Sequence, residues 1–284
     1  MTMAPDYHLG LIGDNIAASR SPLLHVLAGR QNGMTVRYDR LVPPALGQSF
    51  DAVFDAAQAA GMRGVNVTYP YKEKAVSRVS VPDPLVRAMG AINTVLFTPG
   101  GPVGYNTDHS GFMAAYRGLR GDTPPGRVLM IGTGGVGRAV AFGLAALGAA
   151  ELRLVDLDPA KAEALAADLR IAAPDLELRL ETDPATAADG ADGLVNCTPV
   201  GMVGYGGTPL AAPAMAGAEW VFDAVYTPTD TQFLADAGAA GAAVLSGWEL
   251  FFWQGVHAFG LYSGGLPVDL AALRHALLTT DEVV

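Results

Sequence analysis

The chain has 284 residues, of which 50% are hydrophobic and 16% are charged, a composition that favours a compact globular protein over a disordered one. Acidic residues outnumber basic residues by 28 to 18, which gives a formal net charge of −10, and no basic cluster interrupts this excess. The balance argues against nucleic acid and anionic membranes as partners.

The cysteine and histidine content excludes further kinds of cross-link and metal site. The single Cys197 rules out an intrachain disulfide and a cysteine-rich metal site, and the five histidines are too scattered for a zinc site, so we expect no metal. Residues 1–7 lack the features of a signal peptide, and the longest apolar runs are too short to span a bilayer. We therefore expect a cytoplasmic monomer or homodimer that acts on a small molecule.

Short β-like runs alternate with amphipathic stretches along the chain. The predicted strands are His8–Ile12, Val36–Leu41, Gly64–Val67, Val128–Ile131, Leu152–Val155 and Gly193–Asn196. The predicted helices are Pro22–Gln31, Leu46–Ala60, Val136–Leu147 and Ala160–Leu169. This alternation predicts an α/β fold with parallel sheets. Because the turn-forming residues 121–126 separate chemically different motifs, we predict two α/β domains, formed by residues 1–112 with 250–284 and by residues 113–249.

A glycine-rich turn, Gly132-Thr133-Gly134-Gly135-Val136-Gly137, lies between a predicted strand and a predicted helix. In this setting the first glycine allows a tight turn, the second lets a pyrophosphate approach the backbone, and the third lets helix and strand pack closely. The helix N-terminus offers free N–H groups to the phosphates. The pattern predicts a Rossmann-type dinucleotide domain, with residues 132 and 134–137 on the cofactor. A glycine-rich turn without a ligand is the alternative.

The next predicted strand ends at Asp156, where a carboxylate can accept hydrogen bonds from the adenine-ribose hydroxyls and repel a 2′-phosphate. The following residues, Leu157-Asp158-Pro159, offer no arginine to neutralise such a phosphate. The sequence therefore favours NAD over NADP as the cofactor. Asp158 has an equally good alternative role as the N-cap of the helix that begins at Pro159.

Four polar segments follow strand-like runs in the first half of the chain: residues 19–22, 66–72, 91–94 and 106–108. Ligands gather at the C-terminal ends of parallel strands. Together these segments supply hydroxyls, amides, one lysine and one carboxylate, which suits a polyhydroxylated ligand. Without a zinc site, a lysine is the natural proton carrier.

These motifs resemble the shikimate dehydrogenase family, and within it the quinate/shikimate dehydrogenase branch. The resemblance covers nearly the whole chain, in residues 13–25, 66–72, 90–95, 104–108, 132–137, 196–202, 223–228 and Gln254. The family combines an N-terminal catalytic domain, a nucleotide-binding domain and a C-terminal helix that returns to the first domain. It implies NAD(P)-dependent oxidation of a ring hydroxyl of shikimate or quinate.

The resemblance also implies roles for individual residues. Ser19 and Ser21, with Tyr226 nearby, match the residues that bind the substrate carboxylate. The positions that bind ring hydroxyls are Thr68, Asn93 and Gln254. The catalytic pair is Lys72 and Asp108, of which Asp108 also holds a hydroxyl. The loop beside the nicotinamide contains Asn196, Thr198 and Met202. From the residues alone, Lys72 is equally a solvated surface lysine, and Asp108 is equally a helix N-cap.

The segment before Gln254 departs from the family. Glu249 stands where the family usually has methionine, and Phe251, Phe252 and Trp253 make the segment unusually aromatic. We expect the aromatic residues to serve packing rather than ligand contact. Glu249 either faces the substrate or is an ordinary solvated or paired glutamate. This departure leaves open the same chemistry on another carboxylated cyclic polyol, and a cofactor-binding regulator without turnover is a further alternative.

Overall fold

The computed structural model describes residues 5–280, and this backbone divides into two compact units. The first unit comprises the chain up to Thr107 together with the chain from Gln254 onwards, and the second is Asp108–Trp253. The sequence places the corresponding boundaries at residues 112 and 250. Residues 1–4 and 281–284, at the ends of the predicted first domain, lie outside the described residues.

The first unit contains a five-stranded mixed sheet. Its strands are β1 (Tyr7–Ile12), β2 (Val36–Leu41), β3 (Gly64–Val67), β4 (Thr94–Thr98) and β5 (Gly101–Tyr105), in the order β2-β1-β3-β4-β5. β1 is parallel to β2 and β3, but β4 is antiparallel to both β3 and β5. The expectation of wholly parallel sheets is therefore wrong for this unit. The turn at Pro99-Gly100 returns the chain directly into β5, which makes this pair antiparallel.

Three helices follow strands of this sheet: α1 (Ser21–Gln31), α2 (Phe50–Ala59) and α3 (Pro84–Met89). The predicted helix at Leu46–Ala60 begins four residues too early. Pro43 and Pro44 start a run of turns, and Leu46 is half-exposed within it. The helix begins only after Ser49, whose hydroxyl caps it by accepting a 3.2 Å hydrogen bond from the Ala52 N–H.

The second unit contains a six-stranded sheet that is parallel throughout. Its strands are β6 (Arg127–Ile131), β7 (Glu151–Val155), β8 (Glu177–Glu181), β9 (Gly193–Asn196), β10 (Trp220–Asp223) and β11 (Ala243–Ser246), in the order β11-β10-β9-β6-β7-β8. Its helices are α4 (Thr107–Arg120), whose first residue belongs to the first unit, α5 (Gly135–Ala146), α6 (Pro159–Ala172), α7 (Pro184–Ala187) and α8 (Gln232–Ala239). This is the doubly wound Rossmann order, which confirms the predicted fold class. Its topological switch point lies between β6 and β9.

Two helices complete the chain, α9 (Gly247–Ser263) and α10 (Leu270–Thr279). The second half of α9 packs Ala258 and Tyr262 against Leu9, Leu11 and Tyr38 of the first unit's sheet. The C-terminal helices therefore return to the first unit, as the family resemblance implies. Among residues 5–280, none of the helices has the length and apolarity needed to cross a membrane.

Candidate active site

In the glycine loop after β6, Gly132, Gly134 and Gly137 each have the geometry that the sequence pattern predicts. Gly132 has a φ of +95°, and a Cβ there would lie 2.8 Å from the Cys197 carbonyl carbon after β9. A Cβ on Gly137 would lie 2.3 Å from the Gly132 oxygen, so the helix and the turn pack in direct contact. Apart from the adjacent residues, a Cβ on Gly134 would have no neighbour within 4 Å in the described part of the chain. The backbone of Gly134 is thus open to a ligand, at the switch point where dinucleotides bind.

The N-terminus of α5 continues this loop. Gly134 is the N-cap, Gly135 is the first helical residue, and half-buried Val136 follows. Within residues 5–280, no side chain caps this end by accepting a hydrogen bond from its N–H groups. Such an end attracts the negative charge of a phosphate. The loop residues therefore fit the pyrophosphate of a dinucleotide.

Asp156, immediately after β7, is bonded into the same loop. Its Oδ2 accepts hydrogen bonds from the Thr133 nitrogen at 2.7 Å and the Thr133 hydroxyl at 2.8 Å, and its Oδ1 accepts one from the Asp158 N–H at 2.9 Å. Burial acts to raise the pKa of Asp156, but these hydrogen bonds outweigh it and hold the pKa below the ordinary aspartate value. Asp156 is therefore a fixed anion. Asp158 does cap α6, through the Ala160 N–H at 3.2 Å.

The loop after β9 is organised by Asn196, which is fully buried. Its Oδ1 accepts hydrogen bonds from the Thr198 nitrogen at 3.0 Å and the Thr198 hydroxyl at 2.7 Å. Its Nδ2 donates to Asp223 Oδ1 at 2.9 Å and to the Val200 carbonyl at 3.1 Å. Asn196 therefore fixes the conformation of the loop through the hydrogen bonds of its buried side chain. Thr198 and Met202, on the same loop, are half-buried.

Sequence reasoning assigned no role to Asp223 or Thr231, and both support this loop. Asp223 is fully buried, and burial raises its pKa above the ordinary value although Thr231, Val225 and Asn196 all donate to it. The signal was available in the motif at residues 223–228, where a carboxylate ends an apolar strand. A buried carboxylate in such a place requires several donors, and Asn196 is one of them.

In the first unit, Ser19 and Ser21 form a pair at the start of α1. Ser19 Oγ donates to Ser21 Oγ at 3.2 Å and accepts from the Ser21 N–H at 3.3 Å. Ser21 is further held through its carbonyl oxygen, which accepts a 2.9 Å hydrogen bond from His25 Nδ1. The two hydroxyls therefore lie side by side, and their spacing suits a carboxylate that accepts one hydrogen bond from each.

A buried polar network surrounds Asn93, which precedes β4 at the end of the sheet where β1 and β3 finish. Asn93 Oδ1 accepts hydrogen bonds from the Thr107 nitrogen at 2.7 Å, the Thr107 hydroxyl at 3.1 Å and the Thr94 hydroxyl at 3.0 Å. Asn66 Nδ2 donates to Thr94 Oγ1 at 3.0 Å, and Tyr38 donates to Asn66 Oδ1 at 2.8 Å. Asn66 is thus a supporting residue, and the network fixes the orientation of the Asn93 amide.

Lys72 lies near this network. Its carbonyl accepts a 3.0 Å hydrogen bond from Ile92, the residue before Asn93, and its side chain is half-buried. Lys74, two residues on, is instead exposed and pairs with Asp51 at 2.7 Å. Lys72 is therefore less exposed than Lys74, and its role stays a prediction. Thr68 is half-buried on the same loop, and its carbonyl accepts a 2.9 Å hydrogen bond from the Tyr71 N–H.

The remaining predicted site residues lie on α4, α9 and the chain after β10. Asp108 is buried and is the second residue of α4, so it is not the helix N-cap. Tyr226 stacks on Phe251 of α9, with ring centroids 5.3 Å apart. Phe251 and Phe252 are buried, which confirms their packing role. Gln254 and Glu249 are half-buried on α9.

The predicted site residues belong to both units. The first unit contains six of the predicted substrate and catalytic residues: Ser19, Ser21, Thr68, Lys72, Asn93 and Gln254. The second unit holds Asp108, Tyr226 and all of the predicted cofactor residues.

Comparison with known proteins agrees with this arrangement. The shikimate dehydrogenase substrate binding domain matches residues 11–95. The quinate/shikimate dehydrogenase (NAD(+)) of Corynebacterium efficiens is 38% identical over 95% of this chain and 97% of its own length. The shikimate dehydrogenase (NADP(+)) of Streptomyces avermitilis is also 38% identical, over 94% of each chain.

A solved structure is also similar to this chain. The quinate dehydrogenase of Corynebacterium glutamicum in complex with NAD superposes with a TM-score of 0.88, at 33% identity, over 96% of this chain and 99% of its own. The similarity to these proteins covers nearly the whole chain and therefore extends over both units. The chain therefore belongs to the shikimate dehydrogenase family.

Proposed function

We propose that this protein oxidises a ring hydroxyl of quinate or shikimate with NAD as the acceptor, and catalyses the reverse reduction of the keto acid. The observation that carries the proposal is the fixed Asp156 carboxylate beside the open glycine loop. Relatives named for NAD and for NADP are equally identical to this chain, so overall similarity does not separate the two cofactors. An anion at the ribose position favours NAD, because it would repel a 2′-phosphate.

The substrate would be held through its carboxylate and its hydroxyls. Ser19 and Ser21 offer paired hydroxyls to the carboxylate, with Tyr226 as a further donor. Thr68, Asn93 and Gln254 are proposed to bind ring hydroxyls. For Asn93 the network supports this role directly, because it leaves Nδ2 as the donating atom that the described residues do not use.

Bound NAD supplies the nicotinamide carbon that accepts the hydride. Residues 132 and 134–137 and Asp156 would hold the dinucleotide, with Thr198 and Met202 on a loop that Asn196 shapes. Lys72 would take up the proton of the reacting hydroxyl as general base and return it in the reverse direction. Asp108 would orient Lys72 and accept a hydrogen bond from a neighbouring hydroxyl.

The direct test is an absorbance assay at the reduced-nicotinamide band with purified protein, each of NAD and NADP, and each of quinate and shikimate. We expect NAD reduction with at least one acid and none with a cyclitol that lacks the carboxylate. No turnover of either acid with either cofactor would overturn the proposal, and NAD binding without turnover would support the regulator alternative. The cytoplasmic location and the monomeric or dimeric state stay predictions.

A further inference from the structure

We infer that Asp223 is a positioning residue for the nicotinamide end of the cofactor. Its buried carboxylate fixes the orientation of the Asn196 amide, and that amide fixes the loop formed by residues 196–202. The inference rests on the proposed function, because it assumes that this loop lies beside the nicotinamide of NAD. It adds to that function a residue that acts through the loop.

Asp223 and Asn196 lie side by side at the carboxyl ends of two neighbouring parallel strands. They are register partners in the pairing of β10 with β9, and each is the last residue of its strand. Both residues are fully buried. Because the ligands of a parallel sheet gather beyond these strand ends, the pair lies at the base of the loop that we propose meets the cofactor.

The contacts of the Asp223 carboxylate determine which end of the Asn196 amide faces it. Asp223 Oδ1 accepts hydrogen bonds from the Val225 N–H at 3.0 Å and from Asn196 Nδ2 at 2.9 Å. Asp223 Oδ2 accepts one from the Thr231 hydroxyl at 2.6 Å, and the Thr231 oxygen itself accepts from the Leu234 N–H at 3.3 Å. In all three contacts the carboxylate is the acceptor, so Asn196 turns its amide nitrogen towards it.

The oxygen of the same amide holds the loop. Asn196 Oδ1 accepts hydrogen bonds from the Thr198 N–H at 3.0 Å and from the Thr198 hydroxyl at 2.7 Å. The Thr198 oxygen accepts in turn from the Val200 N–H at 3.2 Å. If the amide were rotated by half a turn, its nitrogen would face the Thr198 N–H, and donor would meet donor. Asp223 therefore fixes the course of the loop through the orientation of one amide.

The nicotinamide is the part of the cofactor that depends on this loop. Hydride transfer is sensitive to placement, because a displacement of the reacting atoms by about 1 Å can lower the rate by about 100-fold. Residues 134–137, which we propose bind the pyrophosphate, belong to a different loop and to the start of α5. Loss of the Asp223 acceptor should therefore slow turnover and weaken binding of the nicotinamide half, and spare the ADP-ribose half.

The test compares NAD with ADP-ribose, which lacks the nicotinamide, in the native chain and in Asp223→Ala, which removes the acceptor. We expect kcat to fall by about 10- to 100-fold. The dissociation constant of NAD, measured by calorimetry, should rise by about three- to tenfold, the scale of one lost hydrogen bond. The dissociation constant of ADP-ribose should stay within about twofold, because its phosphates are proposed to bind at the start of α5.

Asp223→Asn tests whether the acceptor itself is responsible. This variant keeps an oxygen that can accept from Asn196 Nδ2, so kcat and the dissociation constant of NAD should return to within about threefold of the native values. Values as poor as those of Asp223→Ala would contradict the inference.

Asp192→Ala is the matched control, because Asp192 supports the same sheet from its opposite end. Asp192 precedes β9 and accepts hydrogen bonds from the Arg127 N–H at 2.8 Å and from the Arg127 guanidinium at 3.0 and 3.1 Å, at the start of β6. Its loss should lower the melting temperature and leave kcat and both dissociation constants within about twofold. A merely structural role for Asp223 would make the two alanine variants alike.

Native kcat in Asp223→Ala would overturn the inference, and so would an equal rise in the dissociation constants of NAD and ADP-ribose. If Asp223→Ala fails to fold, Asp223→Val answers the same question, because a β-branched side chain suits a strand and fills the space of the carboxylate without accepting a hydrogen bond. A native chain that turns over neither quinate nor shikimate contradicts the proposed function. A native chain that turns over an acid, with Asp223→Ala equally active, contradicts only the role of Asp223.

Discussion

Asp156 and Thr133 are joined by two hydrogen bonds, from the Thr133 nitrogen and from its hydroxyl to the same carboxylate oxygen. This pair ties the end of β7 to the glycine loop after β6. We propose that Asp156 contacts the adenine ribose and that the glycine loop binds the pyrophosphate. Asp156 therefore also stabilises the loop, through its hydrogen bonds to Thr133. Substitutions at Asp156 must separate these two effects.

Asp156→Asn removes the charge and keeps an oxygen that can accept from Thr133. We expect the ratio of kcat/KM for NAD to that for NADP to fall by about tenfold, or 1–2 kcal/mol, the scale of a charge-assisted hydrogen bond. Asp158→Asn is the control, since that residue only caps α6 and should leave the ratio within about twofold. A native chain that used NADP at least as efficiently as NAD would contradict the assignment.

Gly134→Ala tests the open backbone of the loop. Apart from the two adjacent residues, a methyl group there has no neighbour within 4 Å among residues 5–280, and the extended backbone at Gly134 suits alanine. We expect the melting temperature to change by no more than about 2 °C. The dissociation constant of NAD, measured by calorimetry, should rise by at least about tenfold, because the methyl group takes the space of the pyrophosphate.

Gly118→Ala is the matched control for this loop. A Cβ at Gly118, on α4, is equally unobstructed, and NAD affinity should not change. If Gly134→Ala bound NAD as tightly as the native chain, the pyrophosphate would not lie against Gly134.

Lys72→Ala should reduce turnover by about two to four orders of magnitude, the usual range for a positioned acid–base group. NAD affinity should barely change, because the proposed dinucleotide residues are on the second unit. Lys74→Ala removes an exposed lysine from the same segment and should retain native turnover. Near-native turnover in Lys72→Ala would refute the assignment, whatever its substrate affinity.

We predict that the buried His25 makes the folded protein less stable in acid. Burial lowers its pKa from 6.5 to about 4, against a weaker opposing effect of the hydrogen bond to Ser21. The folded state therefore resists protonation that the unfolded chain accepts, so this contribution is fully present above pH 6.5 and is lost as the pH falls towards 4. The loss amounts to about 3 kcal/mol by pH 4.

The measurement is chemical denaturation of the native chain and of His25→Asn, which does not titrate at this position, between pH 7 and pH 4. The free energy of unfolding should fall further in the native chain than in the variant. Parallel curves for the two proteins would show that His25 is not the group responsible.

Glu249 is in the first turn of α9, where a negative charge stabilises the helix N-terminus. We therefore expect Glu249→Met to lower the free energy of unfolding by about 0.3–1 kcal/mol and to leave the KM for quinate or shikimate within about twofold. A clear fall in KM would instead assign Glu249 to the substrate side, as an anion that weakens binding of the acid.

The sequence predicted the parallel topology of the second unit correctly and that of the first unit incorrectly, although β8, β10 and β11 were not among the predicted strands. In the second unit each motif is local: β6, the glycine loop and α5 follow one another, and Asp156 ends the next strand. Their arrangement needs only the right-handed crossover that parallel strands adopt. In the first unit, the residues Phe97-Thr98-Pro99-Gly100-Gly101 contain a turn signal between two β-like runs. This signal is sufficient to predict the hairpin of β4 and β5.

The hydrogen bonds that hold the predicted site residues in place could not be predicted from local sequence motifs. The hydrogen bonds of Asn93 with Thr107, and of Asn66 with Tyr38, join residues 14 and 28 positions apart in the chain. No periodicity marks such pairs, because they depend on strand register and on which side of a strand each residue faces. The resemblance to a known family named Asn93 as a ligand residue, but the structure shows what holds it.

The orientation of the Asn93 amide also determines whether a ligand group beside it must accept or donate a hydrogen bond. Its oxygen is occupied by three donors, so a ligand bound as we propose would encounter an N–H and would have to present a lone pair. A hydroxyl meets that demand and can still give its own proton elsewhere. A ring ammonium at the same carbon has only protons to offer, so donor would face donor and the buried amide would lose its partner. The orientation of one side chain thus discriminates between an alcohol and an amine of almost identical shape, and amino analogues of the substrate should be rejected at this carbon.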